Sequence, residues 1–452
     1  MGLITLRQAA QWCGGRVEDK YADIAFLGAN NDSRKIQPGQ LFVALEGVRD
    51  GHDFIPMAME KGAAAVLCTR ICGDYPAILV DDTRLALGRI AHHERKRIGM
   101  KVVGVTGSVG KSTTKEMIAA VLQGSFRVEK TPANHNNDIG MPMAILAMGE
   151  DTQVAVLEMG MNHFREIAYL SEIACPDVAV IINIGTMHIE HLGSKEGILK
   201  AKMEIVEGMA ADAPLILNGD DALLWSQKEL VGRDVCYFGW SNQKSNVLAQ
   251  QVQENAGKIS YDVFWKDGAF SVELMLEGQH YVADSLAAVA VGLTMGVAPE
   301  LIKERLAIFQ NMEGRQEILD IGGYIIIKDC YNAGPESMAA ALRVLGKKSG
   351  RRIAVLGDML ELGVCSQAEH YRIGRLAAEQ ADAVLAYGPN SKRVVSGAIT
   401  GGMPEGRAMA FDDREQLVQS LKLLAKPGDV MLFKGSHGMH MELALEGFLK
   451  ET

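Results

Sequence analysis

The sequence predicts an α/β protein of three domains: a small α/β N-terminal domain, a central P-loop-type domain whose mostly parallel sheet carries an antiparallel appendage, and a C-terminal Rossmann-like domain. Three observations predict it. Short β-branched runs alternate with helix-period segments through most of the chain. Its 452 residues exceed what one hydrophobic core organises. Val102-Val-Gly-Val-Thr-Gly-Ser-Val-Gly-Lys-Ser-Thr-Thr-Lys-Glu116 runs from strand through glycine loop into helix, the sequence form of a phosphate site.

Residues 1–98 open with a helix at Leu6–Cys13, then strands at Phe42–Leu45, Ala64–Leu67 and Ala77–Val80 and a helix at Ile55–Lys61. Two polar loops, Asn31–Lys35 and Asp50–Phe54, fall at strand ends, where either a ligand lip or an Asx turn fits the composition. A helix over Leu85–Lys96 leads through Arg97–Lys101, read as a linker, into the central domain of residues 99–311.

In the glycine loop, backbone N–H groups around Gly107 to Gly110 can wrap phosphate oxygens, Lys111 adds a point charge, and Ser112 offers a hydroxyl to Mg²⁺. The common pattern would place its first glycine at Val105; here the extra glycine is Gly107. The helix Ser112–Gln123 returns to a strand at Phe126–Val128, and Asn134-His-Asn-Asn-Asp-Ile-Gly140 follows, either an amide-rich ligand loop or a capped turn. The strands Gln153–Leu157 and Val178–Ile182 end at Glu158 and before His188, the ends where open α/β sheets bind ligands. By residue type Glu158 and His188 can hold Mg²⁺, although a lone histidine after a strand is more often structural. In the helix Lys195–Glu207, Lys202 reads by composition as exposed. From about residue 232 the pattern turns strand-like (Val235–Phe238, Ile259–Trp265, Phe270–Leu276), an antiparallel appendage, before helices at Ala283–Met295 and Pro299–Phe309.

Residues 312–452 alternate strands at Tyr324–Lys328, Arg352–Leu356, Ala383–Tyr387 and Val430–Phe433 with helices at Pro335–Leu345, Ala368–Gln380, Arg414–Leu424 and Met439–Leu449. No G-x-G-x-x-G follows any of these strands, which argues against a nicotinamide site. A net charge of −10 argues against nucleic acid as a partner. No apolar run approaches a membrane span and no secretory leader opens the chain, so a cytoplasmic protein without membrane insertion is expected. Seven scattered cysteines without zinc-type spacing read as reduced thiols.

Taken together, Thr106–Ser112, Asn134–Pro142, Glu158-Met-Gly160, Ala201–Ile205, Gly314-Arg315, Asp329–Ala333, Gly357–Gly363 and Lys434-Gly-Ser436 resemble the Mur ligase family, in order and spacing along nearly the whole chain. The resemblance implies an N-terminal UDP-sugar domain, a central ATPase and a C-terminal domain that closes over the nucleotide. It implies an ATP-dependent amide ligase that adds D-alanyl-D-alanine to UDP-N-acetylmuramoyl-tripeptide through an acyl phosphate, for peptidoglycan synthesis, with ATP and Mg²⁺ and as a monomer.

By the same resemblance, Lys111, Glu158, His188 and Lys202 are catalytic, and Ser112, Glu158, His188 and a carbamylated Lys202 hold Mg²⁺. Thr106, Gly107, Ser108, Val109, Gly110, Lys111, Ser112, Thr113, His280, Arg315 and Asp329 meet ATP. Ser33, Arg34, Asn134, Asn136, Asn137, Asn332, Lys434 and Ser436 meet the other substrates. Two positions depart from the family pattern: His280, Tyr281 and Asp284 stand where it has Gly-x-His-Asn and a second Asn, with Tyr281 placed to stack on adenine, and His437 stands where an arginine usually follows Lys-Gly-Ser. Two rival readings are a relative acting on another acceptor and a catalytically silent nucleotide-sugar binder; the Lys111, Glu158, His188 and Lys202 set favours turnover.

Overall fold

A computed structural model describes residues 2–229, 232–255 and 257–450. The N-terminal segment pairs Ile4–Thr5 with Ala25–Phe26 and builds a four-stranded parallel sheet from Ala29–Asn30, Leu41–Val43, Ala65–Cys68 and Ala77–Leu79, in that order. Its last helix, Thr83–Ile98, starts on Asp82, whose side chain accepts from the Arg84 and Leu85 N–H groups, and stops at Gly99 in the left-handed region. That helix packs on the central helices Gly140–Leu146 and Glu166–Ala174, and one apolar cluster runs from Ile4 to Tyr237. The hydrophobic core therefore continues across residue 98.

The central sheet has nine strands. At its heart are β1 (Lys101–Thr106), followed after the glycine loop by helix α1 (Lys111–Leu122), then β2 (Val154–Glu158) and β3 (Val178–Ile181), with β1 hydrogen-bonded between β2 and β3 and all three parallel. Strands buried on both faces read as continuous apolar runs, and β1 divides its side chains accordingly: Val102 joins the cluster shared with the N-terminal segment, while Val103 and Val105 face α1. Each such valine, fully buried, contributes about 1.5–3 kcal/mol, which fixes the strand's register and so the take-off direction of the loop.

Helix α2 (Lys195–Met203) continues as a 3₁₀ turn over Glu204–Val206. The appendage begins later than the sequence suggests: Val235–Gly239 extends the parallel sheet, and only Val247–Asn255, Lys258–Trp265 and Gly268–Leu274 are antiparallel to one another. Helix α3 (His280–Thr294) lies against α1, burying both. No helix among the described residues is long and apolar enough to cross a membrane, and the seven cysteines are free thiols.

The C-terminal sheet has six strands in the order Glu317–Ile321, β4 (Tyr324–Asp329), Val430–Lys434, Arg352–Gly357, Ala383–Tyr387, Ala408–Phe411; only the first pair is antiparallel. Strand β4 feeds helix α4 (Pro335–Gly346), which has proline at its first turn. The carboxyl ends of β1, β2, β3 and β4 meet at one place.

Candidate active site

That place is a cleft of about 550 Å³ between the central and C-terminal regions. The glycine loop forms one wall. Gly110 takes φ +85°, and a Cβ there would come within 2.5 Å of Asp284 Oδ1, so both backbone and space require glycine. Ser108 and Val109 donate their N–H groups to Asn183 Oδ1, each at 3.0 Å, and Asn183 Nδ2 donates to Val109 O at 2.9 Å. These two loop amides are therefore committed within the protein. The first turn of α1 carries no side-chain cap, and its N–H groups with the helix dipole suit an anion. Lys111 Nζ folds onto Gly107 O (2.9 Å) and Ser108 O (3.3 Å); burial pushes its pKa down against the opposing pull of Glu158. Thr106 and Gly107 lie beneath the loop, the first donating its hydroxyl to Met159 O at 2.8 Å.

Glu158 is 2% exposed. Its Oε1 accepts from Asn136 Nδ2 at 2.9 Å, while Oε2 has no hydrogen-bond partner and only Lys115 Nζ nearby, at 3.9 Å. A buried carboxylate oxygen left without a donor costs about 1–3 kcal/mol or more, so a cation fits this position. Lys202 corrects the composition-based reading: it is 2% exposed, on the face of α2 that also buries Ile198 and Ala201. The apolar face is wider than the helical count suggested because α2 is covered on that side. Burial, then repulsion by Lys111, holds the Lys202 amine well below the usual lysine range, and among the described residues no hydrogen bond or ion pair reaches it.

His188 sits at φ +64°, with Nδ1 2.5 Å from Glu361 Oε2 of the C-terminal region, a close contact without hydrogen-bond alignment. Among the described residues no three His, Cys, Asp or Glu side chains gather as a ready-made metal cluster, so the fit of a cation rests on the orphaned Glu158 oxygen; Lys202 does not line the cleft and is linked to Glu158 only through the Lys111 charge, which acts on both.

The C-terminal region supplies the opposite wall. An Arg315 amino group donates to Ser112 Oγ at 3.1 Å, and its guanidinium carbon lies 3.8 Å from the Tyr331 ring centre. Lys434, 2% exposed, donates to Asp329 Oδ2 (2.6 Å) and Asn332 O (2.9 Å). Ser436 lies behind the wall, donating to Ala333 O at 3.0 Å and accepting from Leu360 N at 2.9 Å. Glu336, at the first turn of α4, accepts from Thr186 N (3.0 Å) and Thr186 Oγ1 (3.1 Å) and locks α4 to the segment after β3.

At the expected adenine end, burial lowers the His280 imidazole to about 4 and raises the Asp284 carboxyl to about 7. Tyr281 lines the cleft, is 2% exposed, and has its hydroxyl bonded by Asn311. Asn134, Asn136 and Asn137 line the cleft; Ser33 and Arg34 do not. Arg34 pairs with Asp32 at 2.9 Å in its own loop, and Ser33 Oγ lies 3.4 Å from Met57 Sδ. The two loops are neighbours, since the Lys35 charge reaches His135. His437 is exposed, with its ring 6.0 Å from Tyr331 and 5.9 Å from His440.

Sequence reasoning missed Asn183, Lys115 and Glu336. Asn183 had a signal, as the first polar residue after a buried strand, and Lys115 stands one helical turn from Lys111. Glu336 had none, because its partner comes from another domain.

Three family models match the chain: Mur ligase family, catalytic domain, at residues 23–95; Mur ligase middle domain, at 105–292; and Mur ligase, glutamate ligase domain, at 314–437. The UDP-N-acetylmuramoyl-tripeptide–D-alanyl-D-alanine ligase of Bacillus subtilis is 38% identical over 97% of this chain and 96% of its own length. The crystal structure of MurF from Acinetobacter baumannii superposes with a TM-score of 0.92 at 31% identity, covering 100% of this chain and 99% of that one. The structure of MurF ligase from Thermotoga maritima in complex with ADP gives a TM-score of 0.83 at 30% identity, covering 94% and 97%. The chain belongs to the Mur ligase family.

Proposed function

We propose that this chain is an ATP-dependent ligase joining D-alanyl-D-alanine to UDP-N-acetylmuramoyl-tripeptide, a step of peptidoglycan synthesis. The observation that carries the reading is the single cleft in which the phosphate loop, Lys111 and Glu158 face Arg315, Asp329, Asn332 and Lys434. The relative from Bacillus subtilis is named for this reaction, and the Thermotoga maritima homologue holds ADP. We assign residues 1–98 to the UDP-sugar, 99–311 to ATP and 312–452 to closure and the incoming amine, in a cytoplasmic monomer.

A peptide carboxylate and a triphosphate repel each other, so the site's task is to neutralise and align them. Lys111 and the first turn of α1 supply positive potential at the β- and γ-phosphates, and Arg315 adds a guanidinium beside Ser112. The tripeptide carboxylate attacks the γ-phosphorus; the bond to the bridging oxygen breaks, ADP leaves, and an acyl phosphate remains. The D-alanyl-D-alanine amine then attacks the acyl carbon, and collapse of the tetrahedral intermediate expels phosphate and leaves an amide, with one proton lost from the amine.

Ser112, Glu158, His188 and a carbamylated Lys202 are assigned to Mg²⁺, which when bound screens the phosphate charge. Burial that lowers the Lys202 pKa favours the neutral amine that carbamylation needs, in which the nitrogen lone pair forms an N–C bond to CO₂ and a proton is released. Asn134, Asn136 and Asn137 are assigned to the muramoyl peptide, Ser33 and Arg34 to the UDP end, Asp329 to the ribose, and Asn332, Lys434 and Ser436 to the acceptor side. The test is ATP-dependent phosphate release with UDP-N-acetylmuramoyl-tripeptide, crossed against D-alanyl-D-alanine and single amino acids. Release is expected only with the dipeptide; release with a single amino acid instead, or none with any pair, overturns the proposal.

A further inference from the structure

Helix α4 runs along the cleft with one face, and that face carries Glu336, Ala340 and Arg343, spaced i, i+4 and i+7; all three line the cleft. Glu336 marks the phosphate end. The Cα of Gly185 is wedged so closely there that an added Cβ would meet the Glu336 carboxyl and Ser108 of the phosphate loop, both at 3.0 Å. Arg343 lies seven residues further on, about 10.5 Å along the axis at 1.5 Å per residue. That is the reach of an extended nucleotide from its phosphates to its base.

Between the two ends α4 offers no charge to the cleft. Ala340 and Ala341 on α4 line it together with Ala283 and His280 on α3, and the His280 imidazole is neutral near pH 7. Small, uncharged walls of this kind leave room for an aromatic base. Tyr281, the aromatic residue the sequence offers for stacking, also lines the cleft but is 2% exposed, with its hydroxyl bonded by Asn311.

Arg343 is exposed, and no hydrogen bond or ion pair engages its guanidinium among the described residues. The next cations on the same stretch are both engaged: Lys347 pairs with Glu254 and Lys348 with Glu277. A planar guanidinium free to lie over an aromatic face is the form in which arginine binds a base.

We infer that Arg343 lies over the base of the bound nucleotide. The inference rests on the nucleotide reading of the cleft, and calorimetry on the intact protein separates the two. Wild-type protein, Arg343→Ala and Arg343→Lys are titrated with ADP and with inorganic tripolyphosphate, and thermal unfolding checks the fold of each. Arg343→Ala is expected to weaken ADP about tenfold, with tripolyphosphate affinity and unfolding temperature unchanged. Arg343→Lys is expected to recover little, since it keeps the charge and loses the plane.

Equal weakening of both ligands, or full recovery by lysine, would mean that Arg343 acts as a distant phosphate charge, and overturns the inference. ADP binding that Arg343→Ala leaves unchanged overturns it too while the nucleotide cleft stands. A wild-type protein that binds neither ligand removes the cleft reading and the inference together.

Discussion

Arg315 reaches Ser112 Oγ at 3.1 Å and stacks on Tyr331 at 3.8 Å, so one guanidinium joins the phosphate helix of the central domain to the first loop of the C-terminal sheet. The contact brings a C-terminal cation to the phosphate end of the cleft. It also shields a cation whose Nε has no hydrogen-bond partner.

Tyr331 therefore matters to nucleotide binding through its ring. Tyr331→Phe should leave the KM for ATP within about twofold, whereas Tyr331→Leu should raise it several-fold, as expected for a cation–π contact worth about 0.5–2 kcal/mol. Steady-state kinetics at saturating acceptor checks this. Equal effects of the two variants would show that the hydroxyl, not the ring, holds Arg315.

Lys202 is buried, its amine has no hydrogen-bond or ion-pair partner among the described residues, and burial holds its pKa well below the usual lysine range, which is costly unless something completes it. Activity is expected to fall several-fold when dissolved CO₂ is stripped and to return with added bicarbonate, while Lys202→Ala, which has no amine to modify, loses at least about a hundredfold in kcat and shows no bicarbonate response. Thermal unfolding of Lys202→Ala should not fall, because removing an unsatisfied buried amine offsets the cavity it leaves. A bicarbonate-independent wild type would remove the carbamate from the mechanism.

What the sequence made legible follows the range of the forces involved. Helices at Leu6–Cys13 and Arg414–Leu424 and the strand Ala383–Tyr387 match to the residue, because periodicity and caps are local. Val247–Asn255, the longest strand, was missed: Gln250, Gln251, Gln253 and Glu254 mask its alternation, and a bulge near Gln251 breaks its register. The phosphate loop was legible because loop, lysine and helix are contiguous. The burial of Lys202 and the Glu336–Thr186 bond were not, since each depends on elements distant in sequence.

His437 is exposed, and its backbone N–H, not its ring, points to Asn332 Oδ1 at 3.4 Å. An arginine fits such a position without repacking. His437→Arg should leave kcat within about threefold and lower the KM for the dipeptide, because it adds a fixed cation at the acceptor side. Dipeptide titrations check it. A folded but inactive variant would show that the site requires histidine.

Asp284 carries a stability cost that depends on pH. Its carboxyl is buried against Gly110, with the Thr114 hydroxyl at 3.0 Å as its one hydrogen-bond partner, and burial raises it from 3.8 to about 7 despite Thr114 and Arg315. Between about pH 4 and pH 7 the folded protein holds a proton that the unfolded chain releases. Stability attributable to this group is therefore full below pH 4, falls as pH rises through that window, and stays low above 7. Asp284→Asn keeps an acceptor for Thr114 and carries no charge at any pH. Its unfolding free energy should match the wild type near pH 4 and exceed it at pH 8 by on the order of 2–4 kcal/mol. Urea unfolding at the two pH values measures the difference, and a gap independent of pH would mean that Asp284 is ionised throughout and that Arg315 and Thr114 offset its burial.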